Sequence, residues 1–89
     1  MSNGPYLVFG EDVFHKIDAD AEDWVRGEFY DLAAEFVRDS RPYGSLPAKG
    51  LTEGGPPVFT APFDDGFVIY IVRENQDPPE IEMVNAIWM

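Results

Sequence analysis

Residues 64–75 read DDGFVIYIVREN. Asp65-Gly66 is a hairpin-turn signal. Six consecutive apolar or aromatic residues follow, Phe67 to Val72, and a cation, Arg73, closes the run. A strand that is apolar at every position rather than at alternate ones is expected at the centre of a sheet covered on both faces. The preceding stretch, VFTAPF (58–63), completes a hairpin with it. Pro62 has no N–H to give a neighbour, so this strand is expected at an edge or beside a bulge.

Upstream, PYLVF (5–9) lies between Gly4 and Gly10 and reads as a first strand. EDVFHKI (11–17) carries Val13, Phe14 and Ile17 at helical spacing behind two acids, which suit a helix N-terminus. A longer helix is expected from about residue 20 to 38, capped by Asp18 or Asp20. Val25, Phe29, Leu32, Ala33 and Phe36 form its apolar stripe. Glu22 and Arg26 are spaced as an i,i+4 pair. Pro42 and Gly44 end the helix. RPYGSLPAKGLTEGGPP (41–57) reads as one long loop. Downstream, EIEMVNAIWM (80–89) begins by alternating, with Ile81, Met83 and Ile87 on one face, and reads as the last strand. Helices followed by a run of strands indicate an α+β layer fold. The expectation is two N-terminal helices on one face of a small, mostly antiparallel four-stranded sheet, in the order β-α-α-β-β-β, forming one domain over residues 1–89.

Composition limits the chemistry. At 89 residues roughly 64% of the unfolded surface can be buried, enough for one modest core. There is no cysteine and a single histidine, His15, so thiolate and His-rich metal sites are excluded. The glycines form no phosphate-binding pattern, and no cofactor is expected. Neither a signal peptide nor an apolar run of membrane-spanning length is present, so the expected location is cytoplasmic. The net charge is −11, from 17 acids and 6 bases. Residues 11–39 hold ten acids and three bases, and residues 40–89 hold seven and three. Direct binding to a phosphate backbone needs clustered Lys and Arg, so this balance argues against it.

The order and spacing of these segments resemble the RelE/ParE superfamily of toxins from bacterial toxin–antitoxin modules. The resemblance spans nearly the whole chain. It rests on YLVFGEDVFHKIDAD running from strand into helix and on LAAEFVRDSRPYG at the end of the long helix. LPAKGL stands in place of a loop lysine motif, followed by DDGFVIYIV in the hairpin and IEMVNAIW in the last strand. The resemblance implies one of two activities: cleavage of mRNA on the ribosome, or binding and inhibition of DNA gyrase. It also implies a cognate antitoxin as partner. By the same resemblance Lys49 matches the family's loop lysine and Tyr70 its strand tyrosine, with Arg73 and Arg41 supplying positive charge.

Cleavage in such a site needs preorganised cations around the phosphate that gains charge in the transition state. In this chain VFTAPF carries no cation. The position about three residues before the strand tyrosine is Phe67, or Val68 when the alignment is made on Gly66, and Ala86, Ile87 and Trp88 close the last strand. The expectation is therefore a toxin-like component with weak or lost mRNA-cleaving activity. Phe59, Phe63 and Trp88, with Met89, are the candidate surface for a partner. The competing expectation is a non-catalytic acidic interaction module, a nucleic-acid mimic or an inhibitor of a basic protein.

Overall fold

The computed structural model describes residues 6–48 and 56–89. Its elements run β1 (Leu7–Phe9), α1 (Glu11–Asp20), α2 (Asp23–Arg38), β2 (Leu46–Pro47), β3 (Val58–Phe63), β4 (Gly66–Arg73) and β5 (Glu80–Ile87). The sheet order is β1-β5-β4-β3-β2. The class is α+β, but the sheet has five strands and is mixed rather than four and mostly antiparallel. β1 pairs with β5 in parallel, and the other three pairings are antiparallel. The additional strand is β2, inside the stretch expected to be loop. Two residues that include a proline carry no readable periodicity, and only their pairing with Thr60 and Phe59 makes them a strand.

β4 is central, as its composition predicts, and β3 is next to the edge. Pro62 lies beyond the two β3 residues that β2 reaches, so the N–H it lacks leaves no ladder bond unmade. At the turn before β4, Asp64 takes the left-handed conformation with φ 51°. Gly66 is needed there for space, because a Cβ would run into the Ile87 carbonyl of β5. At the exit of β1, Gly10 has φ 154°, and a Cβ would lie 2.9 Å from Met83 Cβ. A side chain at either position would push β5 away from its neighbour.

Both helices pack on one face of the sheet. Val13 and Ile17 of α1, and Val25, Phe29, Leu32 and Phe36 of α2, are buried, while Ala33 sits at the margin of the stripe. They meet Ala61, Phe63, Val68, Tyr70, Val72, Ile81, Met83 and Ala86 from the strands. Phe29 packs edge-on against Phe14 and Phe63, with centroids 5.3 and 5.6 Å away. α2 starts three residues later than expected. Ala21 is extended and its N–H closes α1 on the Ile17 carbonyl, Glu22 takes the N-cap position, and no side chain caps it. Asp18 instead accepts a bond from the Tyr30 hydroxyl at 2.7 Å. Arg26 does not pair with Glu22. It binds Asp23 and the Ala21 carbonyl, and Glu22 accepts from the Trp24 indole.

Two further expectations fail for related reasons. Among the described residues the apolar run of β4 is covered on one face only, by the two helices. Phe67, Ile69 and Ile71 point away from them. The alternation in β5 also breaks: Ile69 pairs with Asn85 but Tyr70 with Met83, so Val84 is an extra residue in a bulge. The bulge shifts the phase. Ala86 turns inward and is fully buried, while Ile87 turns outward. No helix among the described residues is long and apolar enough to cross a membrane.

Candidate functional site

Tyr70 lies on the helix-covered face of β4 and is fully buried. Its ring sits between Phe36 and Phe59, with centroids at 4.5 and 5.8 Å. Its hydroxyl donates to the Ser40 carbonyl at 2.8 Å and lies 3.1 Å from Ser45 Oγ. Burial pushes the phenol above its ordinary pKa, against smaller opposing effects from the Ser45 hydroxyl and the Arg41 charge; Asp39 adds to the rise. Such a group is a neutral structural tyrosine that ties the segment after α2 to the sheet. Sealed from solvent, it has no access to a substrate proton.

Arg41 is exposed and stacks its guanidinium over the Phe59 ring, 4.6 Å from the centroid. Arg73 is on the opposite face of the sheet, where Nη2 pairs with Glu82 Oε1 at 2.9 Å. The structure therefore brings Arg41 and Tyr70 together around Phe59 and leaves Arg73 on the other side. Lys49 lies outside the described residues. His15 is exposed on α1. Among the described residues no group of three His, Asp or Glu side chains is placed to hold a metal ion. Arg41 and Arg73 do not converge on a common point from which to stabilise a phosphate.

The residues proposed to meet a partner are also redistributed. Phe63 belongs to the core at 4% exposure, because it faces α2. Phe59 is half-buried beneath Arg41. Trp88 packs partly against the core, with the Lys16 ammonium 5.4 Å from its ring centroid. Met89 is exposed. The large apolar surface lies elsewhere, on the sheet face opposite the helices. There Leu7, Phe9, Phe67, Val84 and Ile87 are exposed, and Ile69 and Ile71 are half-buried. No described element covers them. One signal for this was present in the sequence. FVIYIV is apolar on both sides, yet the described helices cover only one.

The edge of β5 is protected where the face is not. β1 pairs with Glu80–Glu82, and no described strand pairs with the rest of that edge. Lys16 Nζ reaches over from α1 to the Ala86 carbonyl at 3.0 Å and to Asn85 Oδ1 at 3.2 Å, and Asn85 Oδ1 also accepts from the Ala86 N–H at 2.9 Å. These bonds occupy backbone groups that an added strand would need. No protein family, curated protein or solved structure matches this chain.

Proposed function

We propose that this chain is a toxin-like component of a toxin–antitoxin module that works by binding, with the mRNA-cleaving chemistry of the RelE-like toxins it resembles lost. The order of strand, two helices and hairpin supports the resemblance. The observation that carries the loss of chemistry is the fate of the matched residues. Tyr70 is sealed in the core, and Arg41 and Arg73 are held on opposite faces by Phe59 and Glu82. A phosphate approaching this acidic chain meets no assembled cations among the described residues. Binding is supported by the apolar face that no described element covers, since contiguous apolar surface of this kind marks interaction sites.

The test is induced expression in bacteria together with a reconstituted translation assay on the purified chain. Growth is expected to slow while reporter transcripts stay intact. Cut transcripts overturn the loss of chemistry, and unaffected growth overturns the toxin-like reading. Inhibition of DNA supercoiling by gyrase places the activity on the ParE-like branch.

A second reading follows from the helices. Glu28, Asp31 and Glu35 of α2 and Glu11, Asp12 and Asp20 of α1 are exposed. An acidic layer of this kind suits capture of a basic nucleic-acid-binding protein. Such capture weakens steeply with ionic strength. Retention of a basic partner that is insensitive to salt rules it out.

A further inference from the structure

The open sheet face has two properties that together describe its occupant. Its centre is apolar: Phe9, Phe67, Ile69, Ile71, Val84 and Ile87 lie on β1, β4 and β5 with no described element above them. Strands of three, eight, eight, six and two residues, at about 4.8 Å spacing and about 3.3 Å per residue, give a face of roughly 430 Å². With a partner's share that is about 860 Å², the size of a weak or transient contact.

Its rim is acidic. Asp65 at the β3–β4 turn and Asp77 at the β4–β5 turn are exposed, and Glu80 and Glu82 lie on the open face opposite Arg73 and Ile71, whereas Asp64 lines a cleft with Asp31 and Glu35 of α2 and Glu74 accepts from the Tyr6 hydroxyl. On the β1 side, Glu11, Asp12 and Glu82 line a cleft of about 680 Å³ together with Phe9 and Val84. On the face itself Arg73 is already paired with Glu82.

From this arrangement we infer that the open face binds a basic polypeptide, one that presents apolar side chains ringed by lysine or arginine. Apolar burial at the centre supplies affinity, and opposite charge at the rim supplies register and encounter rate. A second copy of this chain is the wrong occupant, because stacking two such faces sets acidic rim against acidic rim. Strand addition is the wrong mode, because Lys16 and Asn85 occupy the β5 edge and the β2 edge is two residues long. The β1-side cleft is suited to a lysine or arginine head, with Phe9 and Val84 receiving the side chain's methylene stem.

This inference rests on the reading of the chain as a binding domain and adds the partner's chemistry to it. The test titrates the isotopically labelled chain with three synthetic peptides, followed by NMR. One is an amphipathic leucine–lysine helix, the second its leucine–glutamate counterpart, and the third a serine–lysine peptide with the charge alone. At an ionic strength of roughly 0.15 M, the leucine–lysine peptide is expected to shift the resonances of Phe9, Ile69, Val84 and Ile87. The other two peptides bind weaker by on the order of tenfold or more. Val84→Ser, an exposed bulge residue whose loss leaves the core intact, weakens the leucine–lysine complex several-fold. Asp31→Asn with Glu35→Gln, on the helical face, leaves it within about twofold. Equal binding of the leucine–glutamate peptide overturns the inference. So do shifts confined to α2, absence of binding, or a self-associated chain that Val84→Ser turns monomeric. None of these results alters the transcript and growth outcomes that test the proposed function.

Discussion

At the scale of the residue, Tyr70 shows how a motif match and a structural role part company. A tyrosine at the right place in a strand becomes a catalytic candidate only if its hydroxyl reaches solvent. Here the alternation of β4 sends it inward, between Phe36 and Phe59, and the hydroxyl is spent on Ser40. Tyr70→Phe is expected to cost about 1 kcal/mol, the net value of a buried hydrogen bond, plus the cost of an unpaired Ser40 carbonyl. Urea unfolding measures it. The same residue sets a pH dependence. Its folded pKa lies above the unfolded value near 10.0, so the folded state holds the proton longer. Stability is therefore undiminished below about pH 10 and falls as pH rises above that value. Tyr6 and Tyr30 are shifted in the same direction, Tyr6 chiefly by burial and Tyr30 chiefly by its bond to Asp18. Unfolding curves at about pH 8 and about pH 11 are expected to show the loss. Tyr70→Phe should reduce it without abolishing it.

At the scale of the element, β5 is the instructive strand. Read by alternation alone, Ile87 belongs with Ile81 and Met83. The bulge at Val84 inserts one residue and reverses the phase, so Ala86 takes the inward position and Ile87 leaves the core. Ile87→Ser is accordingly expected to change stability by less than about 0.5 kcal/mol. Ala86→Leu forces added volume into a filled site and is expected to cost about 1–3 kcal/mol. Thermal and urea denaturation of the two variants distinguish the bulged register from a regular one, in which the order of the two effects is reversed. α2 is the opposite case. Its stripe was legible from spacing because a helix keeps its period without help from neighbours. Its start was not, because the break at Ala21 depends on how α1 closes on Ile17 rather than on a capping side chain.

At the scale of the whole molecule, charge and apolar surface are segregated. Apart from Glu11 and Asp12 at the β1-side cleft, the acids of α1 and α2 solvate one side, and the sheet presents its apolar face on the other. A net charge of −11 on a chain of this size costs stability through self-repulsion. Added salt should therefore raise the melting temperature, most steeply below roughly 0.1 M, where the screening length exceeds about 10 Å. A calorimetric series in sodium chloride checks this, and a melting temperature that falls with salt is the contrary result. The candidate site was less legible than the fold for a related reason. Fold class follows from local periodicity, whereas whether Arg41, Arg73 and Tyr70 share a face depends on strand orientation and pairing.

The amino-acid sequence by itself determined the α+β class, the apolar stripes of both helices, the central position of β4 and the β3–β4 hairpin, although its turn pair is Asp64-Asp65 rather than Asp65-Gly66. Each of these is carried by short-range pattern: helical period, turn chemistry and a continuous apolar run. Only the tertiary structure decided that β1 lies parallel to β5, that Leu46 and Pro47 form a strand, that Phe63 and Tyr70 are core, and that no described element covers the second face of the sheet. Those outcomes depend on which distant segments meet, and on both described helices packing on the same face. Neither is encoded in the spacing of neighbouring residues.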